Sequence, residues 1–535
     1  MKKMLSLTTT ILLTFSLLSC GNQTTEPTTA QATTSATRTD IIIANNAEGR
    51  DWDPIKGWGK TENPLMQSKL VNIVGVGEIA CDLATDFHVN DDATVWTFHL
   101  RDDVQFSDGT DFTAADVVFT VETAKTAASV VDFTNVSSVT ALDPYTVEFT
   151  LYTPASTFIY QMATLGILPA HAYDELTYAE NPIGTGPYKM VQWDKGQQII
   201  LEQNPYYYGE ITEIETIVMV FMDPTSALAA VQAGTVDVAQ ADIVTAEVPV
   251  EGYDLGIFAT NENAGISLPY PPVQEDRPIA HAVGNDVTSD LALRQALSIA
   301  VDRITFAEDV LNGYAEPSYS IANGLLWEHE DTSFPDGQMD EALHILENGG
   351  WIDTDGDGIR EKDGLRAEFD LYYPTGVAAR QMIATGFSLL AKELGIQVNL
   401  VGGSWDEIFE NYHANAFVVF DGSATPYTYY QSTTIQSAGV ITSNMGFYHN
   451  ETVEAYMSSA LATGDLEEAL DFWKKSQWDG EEGSSMLGDV PVVWLANLNH
   501  MYFVREGLDV GEQELHAHGN SGVQILSNIA EWSWK

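Results

Sequence analysis

From Asp40 onward the chain alternates short strands with helices, and that alternation predicts mixed α/β layers. Its 535 residues exceed what one core serves at ~100–200 residues per domain, so two or three units are expected. An apolar fraction of 44% with 10% aromatics means that most of the chain folds.

The first element is a targeting segment. "MKKMLSLTTTILLTFSLLSC" carries Lys2 and Lys3, then an uncharged run from Met4 to Ser19 too short for a spanning helix. It reads as a secretory signal over 1–19. Its end, Leu17-Leu18-Ser19-Cys20, resembles a bacterial lipobox, in which a small residue precedes the Cys that is lipidated and becomes N-terminal; the competing reading is a plain secreted protein. "GNQTTEPTTAQATTSATRTD" follows without apolar periodicity, so 20–37 is expected to be a lipidated Cys20 and a flexible tether. Cys81 is the one other cysteine, so no internal disulfide is expected when Cys20 is acylated. The expected location is exported, anchored to the cell membrane as a lipoprotein on its periplasmic or extracellular face.

The folded elements begin with "VWTFHLRDDVQFSDGT", which sets Trp96, Phe98 and Leu100 on one face of a strand. "FTAADVVFTVETAKTA" predicts a helix capped by Thr113, with Asp116 three residues on completing a capping box. "DPYTVEFTL" alternates Val147, Phe149 and Leu151 as a second strand. "SDLALRQALSIAVDRITFAEDVL" predicts a helix with Ser289 as N-cap and Leu293, Leu297, Ala300 and Ile304 as its buried stripe. Pro269, Pro271 and Pro272 fix an extended segment, read as the crossing between two lobes.

Composition and motifs narrow the function. The 77 acidic residues against 23 basic give a formal charge of −54, which opposes binding to nucleic acid or to an anionic membrane by charge. Such a surface attracts cations and suits a salty medium, where the Debye length is ~3 Å at 1 M; an ordinary acidic solubilising surface is the other reading. "DTDGDGIREKDG" matches the first half of an EF-hand with Asp353, Asp355 and Asp357, but the twelfth position is Gly364, so a helix-to-strand turn is expected in place of calcium. There is no GxxxxGK[ST], HExxH or G-x-S-x-G motif, and two Cys exclude a thiolate zinc site.

Several blocks together resemble the extracellular solute-binding proteins of ABC importers, family 5, which takes in dipeptide-, oligopeptide- and nickel-binding proteins. "WTFHLRDDVQFSDGTDFTAADVVFT" (96–120) carries the resemblance most specifically. "NPIGTGPYKMVQWDKGQQIILEQNPYYYG" (181–209), "ALAAVQAGTVDVA", "LRQALSIAVDR" and "GGWIDTDGDGIREKDG" follow in the family's order. The resemblance implies the type II periplasmic-binding-protein fold in its large three-subdomain form, with a hinge and an interlobe cleft. Lobe I would span 38–268 plus 495–535, with an inserted subdomain at about 76–194; lobe II would span 269–494. It implies capture of a ligand between the lobes and delivery to an ABC permease with a cytoplasmic ATPase. No enzymatic chemistry, resident cofactor or nucleic-acid partner is expected, and the protein is expected to be a monomer. An exported hydrolase is the contrasting reading, marked by an Asp/Glu or Ser/His constellation within hydrogen-bond reach.

Ligand identity rests on fewer residues. In peptide binders of the family an Asp in a "W-x-A-D-Y-x-x-P" block receives the ligand's ammonium; here "VVFDGSATPYTYY" offers Phe420, Asp421 and Tyr427. The opening "WDPIKGWGK" and the closing "ELHAHGNSGV" resemble a branch related to the nickel binders, whose ending tends to His-x-His-Gly-His; Asn520 stands at the third position here. His516 and His518 would turn to one side of an extended segment, and with His500 they are candidates to hold Ni²⁺ or a nickel chelate as transported ligand. A structural pair, and for His500 a hydrogen-bonded histidine on a buried strand face, are the competing readings. Trp58 and Lys60 are cleft candidates, by stacking and by holding a ligand carboxylate, against a core Trp beside a surface Lys. The expectation leans to nickel or a nickel chelate, with a di- or oligopeptide as the alternative.

Overall fold

The structure is a computed structural model in which residues 38–535 are described, apart from 47, 49–50, 60–64, 128, 130, 275–280, 423–424, 441 and 518–523. The expected signal segment, Cys20 and the tether lie outside the described residues, as do Lys60 and His518. Among the described residues no helix is long and apolar enough to cross a membrane.

Strand alternation builds the smallest layer. Val95–Leu100 and Thr146–Leu151 pair antiparallel, with Trp96 opposite Phe149 and Phe98 opposite Val147. All four side chains are buried, because the period of two turns them to one face. Ala84–Val89 and Val136–Asp143 complete a four-stranded sheet. The helix Ala114–Thr126 packs on it, and its first turn is tied as the sequence predicts: the Thr113 N–H donates to Asp116 Oδ2 at 2.9 Å.

Two larger sheets define two lobes. The first has seven strands, in the order Tyr253–Phe258, His500–Arg505, Val238–Ala241, Asp40–Asn45, Thr216–Phe221, Gln198–Gln203 and Tyr188–Asp194. Its middle three strands, centred on Asp40–Asn45, run parallel. The second has six strands, in the order Ala315–Pro317, Val492–Leu498, Asn263–Ser267, Ala416–Asp421, Glu368–Pro374 and Gln397–Gly403, of which the last three run parallel. Parallel neighbours need long crossovers, and the helix Ala378–Glu393 supplies the one between Glu368–Pro374 and Gln397–Gly403. Buried apolar side chains gather into three clusters, one about the four-stranded sheet, one under the seven-stranded sheet and one about the six-stranded sheet.

The chain passes from the seven-stranded sheet to the six-stranded one between Phe258 and Asn263, and returns between Leu498 and His500. These passages lie a few residues from the 268/269 and 494/495 divisions read from the sequence. Pro269–Pro272 sits beyond the first passage: Leu268 and Tyr270 already bond within the second lobe, to the Pro491 and Gly446 carbonyls. The helix expected from Ser289 through Ile304 is shorter, Leu291–Ala300, with Asp290 as its N-cap. Leu293, Leu297 and Ala300 are buried, but Ile304 is exposed. Asp302 caps a new turn there, accepting the Thr305 N–H at 3.0 Å, and the helical phase is lost. In the Asp-rich loop the Asp353 carboxylate accepts N–H groups of Gly356 and Gly358, as expected of a turn between the helix Met339–Asn348 and the strand Glu368–Pro374.

Candidate functional site

Open α/β sheets present ligand sites beyond the carboxyl ends of their parallel strands. Both large sheets point such ends at one cleft of about 1670 Å³. On the first lobe Asn46 follows Asp40–Asn45, Asp223 follows Thr216–Phe221 and Asp242 follows Val238–Ala241; all three line the cleft. On the second lobe Phe420 and Asp421 end the strand Ala416–Asp421, and Gly376 and Val377 follow Glu368–Pro374. Tyr160, Gln161 and Thr164 of the small subdomain close one side.

The floor is the pair of interlobe passages, stitched by backbone. The Leu498 N–H donates to the Glu262 carbonyl at 2.9 Å, and Thr260 Oγ1 donates to the Leu498 carbonyl at 2.5 Å. A third segment joins them: the His516 N–H donates to the Ala259 carbonyl at 2.9 Å and the Asn261 N–H to the His516 carbonyl at 3.1 Å. This pairing sets His516 beside His500, which is opposite Phe258 in the sheet. Their Nδ1 atoms are 3.2 Å apart. His500 Nε2 faces Glu262 Oε2 at 3.5 Å, and His516 Nε2 meets Gln513 Oε1 at 3.1 Å. Both imidazoles are buried yet line the cleft. Burial, with His500 alongside, pushes the His516 pKa down to about 3, so this ring stays neutral with a lone pair available.

The wall opposite is aromatic with one cation. Phe420, Phe417 and Trp405 surround the Arg380 guanidinium, the Phe420 ring centroid at 3.8 Å. Arg380 lies in the first turn of Ala378–Glu393, and its Nη1 donates to the Val418 carbonyl. Burial pushes its pKa down to about 10, opposed by the field of Glu262, so it remains a cation at neutral pH.

Of the residues singled out in the sequence, Phe420, Asp421, Tyr427, His500 and His516 stand on this cleft. Trp58 does not: it is 5% exposed and packs edge-on to Trp52 at 4.6 Å in the core of the first lobe, which is the core reading of that residue. The histidine neighbour of His516 is His500, sixteen residues away in sequence. Arg380 escaped the sequence reading although it leaves a trace there: with Ile383, Ala384, Phe387 and Ala391 it continues a buried helical stripe, a charge where the period asks for an apolar residue.

Comparison with known proteins agrees with this architecture. The family model for bacterial extracellular solute-binding proteins, family 5 (Middle), matches residues 78–439. Protein XP55 of Streptomyces lividans is 29% identical over 497 residues, covering 90% of this chain and 88% of its own length. The oligopeptide-binding protein AppA of Bacillus subtilis is 28% identical over 413 residues, covering 72% and 73%. Among solved structures, NikZ from Campylobacter jejuni in complex with Ni(L-His) superposes with a TM-score of 0.74 at 24% identity, covering 92% of this chain and 99% of that one. AppA of Bacillus subtilis with a nonapeptide gives a TM-score of 0.68 at 22% identity, covering 93% and 99%. The two-lobed α/β fold expected from the sequence is the fold these proteins share.

Proposed function

The chain belongs to the bacterial extracellular solute-binding proteins, family 5, and on that premise we propose that it is the lipid-anchored binding component of an ABC importer that captures nickel, as the ion or a small chelate, between its lobes. Proteins of this family bind peptides or small ligands and work with a membrane permease and its ATPase; relatives of this chain include an oligopeptide-binding protein and a probable D,D-dipeptide-binding periplasmic protein. Closure follows from population shift: a ligand touching both lobes binds the closed form better and so stabilises it.

The observation that carries the nickel reading is the His500–His516 pair. A metal–nitrogen bond of about 2.1 Å puts two ligand nitrogens about 3.0 Å apart at a right angle and about 3.4 Å apart at a tetrahedral angle. The separation of 3.2 Å falls inside that range. A borderline cation favours imidazole nitrogen, and the neutral ring of His516 meets the protonation requirement. The same distance suits one N–H donating to the other ring, which is the structural reading of the pair. Cys20 and His518 remain part of the proposal, as the lipid attachment site and a third candidate ligand.

A peptide is favoured by one other observation. The cleft of about 1670 Å³ exceeds the ~300–1,000 Å³ of an ordinary small-molecule pocket and has room for several residues. Asp421, with Phe420 and Tyr427 beside it, would then receive the peptide's ammonium. Calorimetric titration of the protein with Ni²⁺, with Ni²⁺ plus histidine, and with di- and oligopeptides separates the two. The nickel reading expects heat with the first or second, lost in His500→Ala/His516→Ala. Heat with peptides alone overturns it.

A further inference from the structure

The two imidazoles on the cleft floor meet through their Nδ1 atoms, so what they offer a ligand depends on which nitrogen of each ring carries hydrogen. A neutral imidazole has one N–H and one lone pair, and the group on the far side of the ring decides where each stands. For His516 that group belongs to a relay of side chains in which every donor and acceptor can be assigned.

The assignment starts at Trp532, which is buried and whose indole N–H can only donate. It reaches Asn528 Oδ1 at 2.9 Å, and that contact fixes the orientation of the Asn528 amide. Asn528 Nδ2 then donates to the Val510 and Glu512 carbonyls at 2.9 and 3.1 Å, groups that can only accept. The same Oδ1 meets the Gln513 amide at 2.6 Å, so the atom facing it is Nε2, which also donates to the Val510 carbonyl at 2.7 Å. Gln513 Oε1 is thereby turned to His516 Nε2, 3.1 Å away. An amide oxygen accepts, so the hydrogen is on His516 Nε2 and the lone pair on Nδ1. That lone pair faces His500 Nδ1 at 3.2 Å. Where His500 likewise keeps hydrogen on Nε2, toward Glu262 Oε2 at 3.5 Å, the two lone pairs converge. Such a pair repels until a cation is shared between them.

We propose that Gln513, oriented by Asn528 and Trp532, is a positioning residue: it holds the His516 hydrogen on Nε2 and so presents Nδ1, together with His500 Nδ1, to a transported metal ion. This inference rests on the nickel reading and adds to it the residues that set the tautomer of one ligand ring. Gln513 acts through His516, as the hydrogen-bond partners of metal-binding histidines do. Without it, the His516 hydrogen is free to move to Nδ1 and donate to His500, which ties up both lone pairs in one N–H···N bond.

The test reads the full chain without and with nickel. In the metal-free wild type carrying nitrogen-labelled histidine, two-bond NMR correlations at neutral pH report which nitrogen of His516 bears hydrogen, the signal being assigned by its loss in His516→Asn. Hydrogen on Nε2 is the expected result; hydrogen on Nδ1 overturns the inference whatever nickel does. Gln513→Met keeps the length of the side chain and removes the acceptor. In that variant the His516 hydrogen should shift toward Nδ1, and the calorimetric affinity for Ni²⁺ with histidine should fall about ten-fold or more. An unchanged affinity, or a fallen affinity with the tautomer unmoved, overturns the inference and leaves the nickel reading standing. No binding of Ni²⁺ by the wild type, with or without histidine, overturns both. Should Gln513→Met not fold, Trp532→Phe, which removes the N–H that orients the relay, takes its place with the same two readouts.

Discussion

The floor and the far wall of the cleft are built on opposite principles. The floor joins three chain segments through main-chain hydrogen bonds and offers imidazole nitrogen, the His500 and His516 rings. The wall offers a fixed positive charge, Arg380, held by aromatic faces and one carbonyl. Lone pairs on rigid strands suit a metal, and a plated guanidinium suits a carboxylate. The contrast teaches that one cleft can present two kinds of group, imidazole nitrogen and a fixed charge, each with a different response to pH and salt.

Removing the floor's nitrogens should have the largest effect. His516→Ala is expected to weaken binding of nickel with histidine by at least 100-fold, about 2.7 kcal/mol, with little change in the affinity for peptides. Equal losses for both ligands would mean that the pair only braces the floor. The next effect is on stability against pH. His516 has its folded pKa, about 3, below the unfolded value near 6.5, so the unfolded chain gains the proton first as pH falls. The stability it preserves is whole above pH 6.5 and should decline by up to about 2 kcal/mol by pH 5. Denaturant titrations of wild type and His516→Asn across that range should show a steeper fall in the wild type than in the variant.

On the wall, Phe420→Ala removes the ring 3.8 Å from Arg380 and should cost about 1–2 kcal/mol of stability, readable by chemical denaturation. An unchanged midpoint would mean that Trp405 and Phe417 hold the cation without it. The smallest effect is expected where the small subdomain touches the second lobe. There Ser156 Oγ and N–H donate to the Ala460 and Leu461 carbonyls, at 2.7 and 3.0 Å. Ser156→Ala should cost about 1 kcal/mol and, where the contact belongs to the closed form, speed ligand release about five-fold in stopped flow.

What could be read from sequence was local. Thr113 and Asp116 are three residues apart, and the cap they form needs nothing else. Leu293, Leu297 and Ala300 declare a buried stripe, which failed at Ile304 because Asp302 starts a new turn. The family blocks ran in order through the described chain and carried the two-lobed fold with them. The site was less legible because its geometry is long-range. The sequence sets His518 two residues from His516, but it lies outside the described residues; the strand pairing that carries His516 past Thr260 sets it beside His500, sixteen residues away. Trp58 sat in a suggestive motif but turned inward to Trp52. Arg380 left only its place in a buried stripe as a trace, because what surrounds it, Phe417 and Phe420 of the strand Ala416–Asp421, comes from far along the chain.

The strand His500–Arg505 lies inside the seven-stranded sheet, between Val238–Ala241 and Tyr253–Phe258. A sheet cannot finish assembling before its interior strand exists, and here that strand follows every other strand of the two large sheets in the chain. The six-stranded sheet has all its strands by Leu498. Of the two, the lobe that begins first in sequence is therefore the one that must wait, with Tyr253–Phe258 unpaired on that side until His500–Arg505 is made. Truncation at residue 499 would leave the strands of the second lobe's sheet whole and in the first lobe detach Tyr253–Phe258 and bare Val238–Ala241, an exposed edge of the kind that invites misassembly.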